Sequence, residues 1–159
     1  MLSARLQRSK PTVLVVDDSP AMLRYLRVLL ELDSYHVETA NSGAEAIQRV
    51  RDGCAPAAVL LDLQMPGMDG LKTLRHLLKL QPDLKVIMCT GVEDPQVSRQ
   101  ATRLGARAYL TKPVKHLYLS AALEHCFELG PSDGPAESEG VHSHAATANL
   151  MRVRPRSLT

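Results

Sequence analysis

The sequence has no tryptophan and only one phenylalanine, and aromatic residues make up 3% of its 159 positions. Surfaces that stack nucleic-acid bases need aromatic side chains, so a surface of that kind is not expected. The formal net charge of +2 is also too small to predict binding to nucleic acid or to a membrane surface. We therefore expect no direct contact with nucleic acid.

Cysteines and long apolar runs are scarce as well. The three cysteines are widely spaced and form neither a CxxC motif nor a metal-binding pattern, so we expect a reduced, cytoplasmic protein. No apolar stretch approaches the roughly 20 residues needed to cross a bilayer. The basic start, MLSARLQRSK, lacks the apolar segment of a signal peptide. We expect no membrane association.

The sequence does contain a regular alternation of strand and helix patterns. Short runs rich in Val, Leu and Ile predict buried strands, and apolar residues at helical spacing follow each run. The predicted strands are Thr12–Val16, Tyr35–Thr39, Ala57–Leu61, Leu84–Cys89 and Arg107–Leu110. The predicted helices are 20–32, a segment from a cap at Asn41 or Ser42 to about 52, 71–80, 95–104, and Val114 to about Leu129. Five such repeats predict an α/β fold, with a parallel sheet covered by helices on both faces.

The composition divides the chain into three parts. Residues 1–11 are predicted to be a flexible leader, and residues 12–129 to form the domain. Residues 130–159 are rich in Pro, Ser, Gly and Ala and have few anchors for a core, so they are predicted to be a disordered tail. The last helix of the domain has the apolar residues Leu117, Leu119, Ala122, Leu123 and Phe127.

Polar residues follow four of the predicted strands. Asp17 and Asp18 follow the first strand, Asp62 ends the third, Thr90 the fourth, and Lys112 follows the fifth. The carboxyl ends of parallel strands meet at one edge of a sheet, and ligands bind at that edge. We therefore expect three carboxylates, a hydroxyl and an ammonium in one shallow pocket.

Three carboxylates in one pocket repel one another, so one of them would take up a proton unless a cation joined them. Hard oxygen ligands suit Mg²⁺, which would also offset the charge of a phosphoryl group arriving at Asp62. Lys112 can offer a point charge to that group, and Thr90 a hydrogen bond. The pocket therefore predicts a phosphate acceptor, Asp62, with a divalent cation beside it.

Each of these residues alone permits a simpler interpretation. Asp17 and Asp18 could complement the N-terminus of the helix that follows them. Thr90 could be a turn hydroxyl, and Lys112 an exposed surface charge. Their joint placement at the ends of successive strands favours the shared site.

The motifs VLVVDDSP, LLDLQMPGMDG, MCTG and GARAYLTKPV make the sequence resemble the receiver domain of two-component response regulators. The resemblance covers roughly residues 12–129. It implies a flavodoxin-like three-layer sandwich, in which five helices cover a parallel five-stranded sheet of order 2-1-3-4-5.

The resemblance also implies roles for the site residues. Asp62 would accept a phosphoryl group from a phosphohistidine on a sensor histidine kinase or a phosphotransfer protein. Mg²⁺, or Mn²⁺ in its place, would be held by Asp18, Asp62 and the backbone carbonyl of Gln64. Asp17 would act partly through water.

The same resemblance implies a switch. Lys112 would pair with the phosphoryl group, Thr90 would move toward it, and Tyr109 would swing into the vacated space. The peptide bond before Pro113 would be cis. A downstream protein would bind the output surface, and the chain would be a monomer or a phosphorylation-dependent dimer. That surface would comprise Pro95–Leu104, Arg107–Leu110 and Val114–Leu129.

Three functions compete at this point. The first is a stand-alone binding module that catalyses only its own phosphotransfer and slow dephosphorylation. The second is the receiver fragment of a longer regulator with a DNA-binding or enzymatic output domain. The third is a phosphohydrolase with an Asp nucleophile, which needs an acid two residues after that nucleophile. Gln64 occupies that position and cannot donate a proton in this way, so the phosphohydrolase is disfavoured.

Overall fold

The computed structural model describes residues 9–128, in which five strands alternate with five helices. The predicted alternation is therefore confirmed. The elements are β1 Thr12–Val16, α1 Pro20–Leu32, β2 His36–Ala40, α2 Gly43–Arg51, β3 Ala58–Asp62, α3 Gly70–Leu80, β4 Val86–Thr90, α4 Pro95–Leu104, β5 Ala108–Thr111 and α5 His116–Glu128.

All strand pairs are parallel, and the strand order is β2-β1-β3-β4-β5. The flavodoxin-like order 2-1-3-4-5 is thus confirmed. Strands β3 and β4 are buried along their whole length, as expected for central strands covered on both faces. One apolar cluster joins the sheet to α1 and α5, and the other joins it to α2, α3 and α4.

Side-chain caps begin most of the helices. Ser19, Ser42, Asp69 and Asp94 each accept a hydrogen bond from a backbone N–H in the first turn of the following helix. Ser42, rather than Asn41, is therefore the cap of α2. The left-handed Gly105, at φ 111°, ends α4 as predicted.

Several predicted boundaries were wrong by one or two residues. Strands β2, β3 and β5 begin and end one residue later than predicted, and β4 covers 86–90 rather than 84–89. Leu84 belongs to a turn, because its N–H donates to the carbonyl of Gln81. At the other end, Thr90 still pairs with Thr111 in the ladder. Apolar runs alone do not locate these last ladder pairs.

The final helix begins at His116 rather than Val114, whose carbonyl instead accepts a hydrogen bond from Tyr25. The apolar Leu117 of this helix is 75% exposed. Leu117 lies about 200° around the helix from the buried Leu119, so the two cannot share a face.

Residues 1–8 and 129–159 lie outside the described part, so most of the predicted leader and all of the predicted tail remain predictions. Among the described helices, none has the length and apolar character that a membrane span requires.

Candidate functional site

Three acidic side chains meet at the carboxyl edge of the sheet. Asp17 and Asp18 follow β1, and Asp62 is the last residue of β3. One carboxylate oxygen from each lies within 4.8 Å of the other two. Asp17 and Asp62 are buried and Asp18 is exposed, so the group opens to solvent on one side. The predicted convergence of the three carboxylates is present in the fold.

Lys112 extends from the end of β5 into this group. Its Nζ lies 2.7 Å from Asp17 Oδ2 and 3.2 Å from Asp62 Oδ1. The backbone N–H of Lys112 donates to the carbonyl of Thr90 at 2.6 Å, which holds the residue against β4. The peptide bond between Lys112 and Pro113 is cis. The ammonium is thus shared by the two buried acids.

For both Asp62 and Lys112, burial shifts the pKa in one direction and the opposite charge of the other residue shifts it in the other direction. Burial raises the pKa of Asp62, the charge of Lys112 offsets part of that rise, and the charge of Asp17 adds to it. Burial alone would lower the pKa of Lys112. Its hydrogen bond to Asp17 and the charges of Asp62 and Asp17 outweigh burial and raise that pKa. Lys112 is therefore held as a cation between the acids.

Backbone N–H groups orient two of the carboxylates. Asp17 Oδ1 accepts from the N–H of Ser19 at 2.8 Å, while Oδ2 faces Lys112. Asp62 Oδ1 accepts from the N–H of Gln64 at 3.3 Å. The side chain of Gln64 is exposed. The role predicted for its backbone carbonyl stays a prediction.

Thr90 and Tyr109 meet at the backbone of Val92. The buried Thr90 hydroxyl accepts from the N–H of Val92 at 3.2 Å and donates to its carbonyl at 3.3 Å. The Tyr109 hydroxyl donates to that same carbonyl at 3.5 Å. Burial raises the pKa of Tyr109, which keeps this phenol protonated. The loop after β4 thus links the two residues predicted to form the switch.

Comparison with known proteins decides the family. A family model described as "Response regulator receiver domain" matches residues 13–124. This chain is a member of the response regulator receiver family. Receiver domains are signalling modules of two-component systems rather than classical enzymes.

Curated relatives carry this receiver domain inside longer chains. The two-component response regulator ARR10 of Arabidopsis thaliana is 39% identical over 114 residues, which cover 71% of this chain and 20% of ARR10. The transcriptional regulatory protein ZraR of Escherichia coli K12 is 37% identical over 112 residues, which cover 70% of this chain and 25% of ZraR. The present chain therefore aligns with a fifth to a quarter of each of these relatives.

Solved receiver domains share the fold. A receiver domain protein from Clostridium thermocellum has a TM-score of 0.70 and 34% identity, over 74% of this chain and 94% of that one. A CheY-like receiver domain protein from Methanospirillum hungatei JF-1 has a TM-score of 0.70 and 31% identity, over 77% of this chain and 100% of that one. Both matches agree with the flavodoxin-like architecture.

The acids of this receiver domain fit a divalent cation. Three ionised carboxylates and one ammonium leave a formal charge of −2 at the site, which one divalent ion would neutralise. The ligands are all hard oxygen atoms, the type that Mg²⁺ prefers. Asp17, Asp18 and Asp62 are the residues that would hold it.

Sequence reasoning missed two structural contributors to the receiver site. A Cβ on Gly70 would lie 2.4 Å from the carbonyl oxygen of Asp62, so only glycine lets α3 begin against the end of β3. The Asp69-Gly70 pair before a helical pattern could have indicated this. Tyr25 Oη donates to the carbonyl of Val114 at 2.6 Å, across 89 sequence positions. No local signal marks that contact.

Proposed function

We propose that this receiver domain accepts a phosphoryl group on Asp62 from a phosphohistidine, with a divalent cation bound. The donor would be a sensor histidine kinase or a phosphotransfer protein. The observation that carries the proposal is the position of Asp62, which is buried among two further acids and in contact with Lys112. Family membership supports the same chemistry.

Asp62 is the best acceptor of the three acids because one of its oxygens is available. Both oxygens of Asp17 are engaged, one by Ser19 and one by Lys112. Asp62 Oδ2 accepts no hydrogen bond from any residue within 9–128. Every fully buried side-chain oxygen in this part of the chain has a hydrogen-bond partner, so Oδ2 is not fully buried. Oδ2 of Asp62 is therefore reachable from solvent. Asp18 is exposed and makes no ion pair with Lys112.

The proposed phosphotransfer to Asp62 requires only the phosphohistidine donor as a second reactant. An oxygen of Asp62 attacks the phosphorus of the donor, and the bond between phosphorus and the imidazole nitrogen breaks. The electron pair of that bond returns to the imidazole ring, and an acyl phosphate forms on Asp62. The ammonium of Lys112 lies where it can stabilise charge on the phosphoryl oxygens. A bound Mg²⁺ supplies positive charge that offsets that of the carboxylates and the phosphoryl oxygens.

Phosphorylation would act as a switch through groups that already touch the site. A phosphoryl group on Asp62 competes with Asp17 for the ammonium of Lys112. It also offers an acceptor to the hydroxyl of Thr90, which now binds the backbone of Val92. Tyr109 contacts that same backbone. The change would reach a protein-binding output surface formed by Pro95–Leu104, Arg107–Leu110 and Val114–Leu129.

A second candidate function concerns the whole protein. ARR10 and ZraR are about five and four times as long as their matched segments, and ZraR is named a transcriptional regulatory protein. This observation favours a receiver piece of a longer regulator, in which phosphorylation controls an attached output domain. Both candidates share the chemistry at Asp62.

Incubation with acetyl phosphate and Mg²⁺ tests the proposal. Intact-mass spectrometry should show the addition of one phosphoryl group, and peptide mapping after borohydride reduction should locate it at Asp62. Asp62→Asn should abolish the addition, whereas Asp83→Asn, an exposed acid in a turn, should leave it unchanged. Phosphorylation that persists in Asp62→Asn, or that needs no divalent cation, would contradict the assignment.

A further inference from the structure

A hydrogen bond ties α1 to the loop that follows Lys112. The hydroxyl of Tyr25 donates to the backbone carbonyl of Val114 at 2.6 Å. Val114 is only 1% exposed, so this carbonyl needs a partner within the protein. No backbone N–H within residues 9–128 donates to it. The phenol of Tyr25 is therefore the group that satisfies the carbonyl.

The same loop carries the cation of the receiver site. Strand β5 ends at Thr111 and α5 begins at His116, so the loop consists of residues 112–115. At its start, the N–H of Lys112 donates to the carbonyl of Thr90 at 2.6 Å. The next residue is a proline and has no N–H to donate. The bond from Tyr25 is thus the contact that fixes the loop backbone between Lys112 and α5.

Helix α1 holds both partners of the ion pair between Lys112 and Asp17. The N–H of Ser19, the cap of α1, donates to Asp17 Oδ1 at 2.8 Å, and Asp17 Oδ2 lies 2.7 Å from the ammonium of Lys112. Tyr25 lies six residues after this cap, which is about 9 Å along the helix axis. The helix therefore acts as a rigid spacer between Asp17 and the loop that carries Lys112.

The end of the loop is anchored separately. His116 Nε2 lies 2.9 Å from Asp33 Oδ1, and the hydroxyl of Ser120 donates to Asp33 Oδ2. These contacts attach the first turn of α5 to the end of α1, beyond Val114. Loss of the Tyr25 hydroxyl would therefore release the loop backbone while α5 itself stays in place.

We propose that Tyr25 is a positioning residue for the phosphorylation of Asp62 and that it acts through Lys112. This inference rests on the function proposed above for Asp62. The bond to Val114 holds the loop so that the ammonium reaches both buried acids, where it meets the incoming phosphoryl group. In this role Tyr25 does not contact the phosphoryl group itself.

A double-mutant cycle in the full chain, with acetyl phosphate and Mg²⁺, tests the inference. Acetyl phosphate is a small donor, so its rate of reaction does not depend on the binding of a donor protein. Tyr25→Phe removes only the hydroxyl and should slow phosphorylation of Asp62 by roughly threefold or more, because the ammonium is misplaced. In the Lys112→Met background the same change should have no effect, because the group through which Tyr25 acts is gone.

Tyr35→Phe is the matched control for the loss of a phenolic hydroxyl. Tyr35 packs against the ring of Phe127, and its hydroxyl makes no hydrogen bond within residues 9–128. Its removal should leave the phosphorylation rate unchanged. Urea unfolding in the presence of Mg²⁺ establishes that each variant is folded under the conditions of the rate measurement.

The reactivity of the Lys112 amine gives a readout that needs no phosphorylation. Brief acetylation with acetic anhydride, followed by peptide mass spectrometry, compares Lys112 with the exposed Lys79. Contact with two acids keeps the Lys112 amine protonated and slow to react. Tyr25→Phe should therefore increase the labelling of Lys112 relative to Lys79.

The outcomes separate this inference from the function on which it rests. A Tyr25→Phe variant phosphorylated as fast as the wild type would overturn the role of Tyr25 and leave that of Asp62 intact. A loss of equal size in the Lys112 and Lys112→Met backgrounds, or unchanged labelling of Lys112, would do the same. A wild-type chain that takes up no phosphoryl group would overturn both.

Discussion

Lys112 lies closer to Asp17 than to Asp62, with Nζ distances of 2.7 Å to Asp17 Oδ2 and 3.2 Å to Asp62 Oδ1. One cation thus links the ends of β1, β3 and β5. Its stronger contact is with the acid that we do not expect to be phosphorylated. A phosphoryl group on Asp62 would draw the ammonium away from Asp17, and this competition is the first step that we expect of the switch.

Removing this cation should destabilise the domain in a metal-dependent way. Lys112→Met leaves the buried Asp17 without its counter-ion, and we expect the free energy of unfolding in EDTA to fall by about 1–3 kcal/mol. Mg²⁺ should restore part of the loss, because it would replace the missing positive charge. Urea unfolding with and without Mg²⁺ measures both effects. Lys79→Met, an exposed lysine on α3, is the control. An equal Mg²⁺ effect on the two variants would argue against the charge balance described for the site.

The raised pKa of Asp62 predicts that replacing this residue with neutral asparagine stabilises the domain by an amount that depends on pH. Burial favours the protonated carboxyl in the folded state, so the ionised group costs stability above its folded pKa. In metal-free buffer at neutral pH, Asp62→Asn should raise the free energy of unfolding by about 1 kcal/mol. The gain should shrink as the pH falls through the folded pKa and vanish below the unfolded one. Urea unfolding over a pH series checks this. A stabilisation by Asp62→Asn that increases as the pH falls would contradict this prediction.

Two glycines near the site should respond differently to alanine. In Gly70→Ala the new methyl group meets the carbonyl oxygen of Asp62 at 2.4 Å and the Cα atom of Leu63 at 2.7 Å. We expect a loss of about 1–3 kcal/mol in unfolding free energy and slower phosphorylation of Asp62, because the clash displaces backbone atoms. In Gly91→Ala the new methyl group has no atom within 4 Å apart from those of residue 91 and its two chain neighbours, so the change should be nearly neutral. Coinciding denaturation curves for the two variants would show that the short distance from residue 70 to the backbone of Asp62 and Leu63 does not require a glycine there.

The cysteines should react in a fixed order with a thiol reagent. Burial raises the pKa of Cys89 to about 12 and that of Cys126 to about 11, and both side chains are inaccessible. Cys54 is partly exposed. Because the thiolate is the nucleophile, the native protein should be alkylated at Cys54 alone, and the other two only after unfolding. Peptide mass spectrometry gives the order. Early labelling of Cys89 would show that the strand beside Asp62 opens readily.

Much of the fold was predictable because its signals are local. Apolar runs and helical spacing located all ten elements, and Pro95 and Gly105 gave both ends of α4. Boundaries were less predictable where tertiary contacts decide them. Val114 was expected inside α5, but its carbonyl binds Tyr25 and the helix begins two residues later. Leu117 is as apolar as Leu119, and only the rotation of α5 against the sheet exposes one and buries the other.

The sequence by itself determined which residues meet. Parallel strands bring their carboxyl ends to one edge, so the order of strands and polar residues along the chain was enough to place Asp17, Asp62 and Lys112 together. Tertiary structure alone decided how they meet: which acid holds the ammonium more closely, and which oxygen of Asp62 stays open. It also left Tyr25, Val28 and Leu32 of α1 exposed. These outcomes depend on side-chain rotamers and on packing between segments far apart in sequence, which no local pattern specifies.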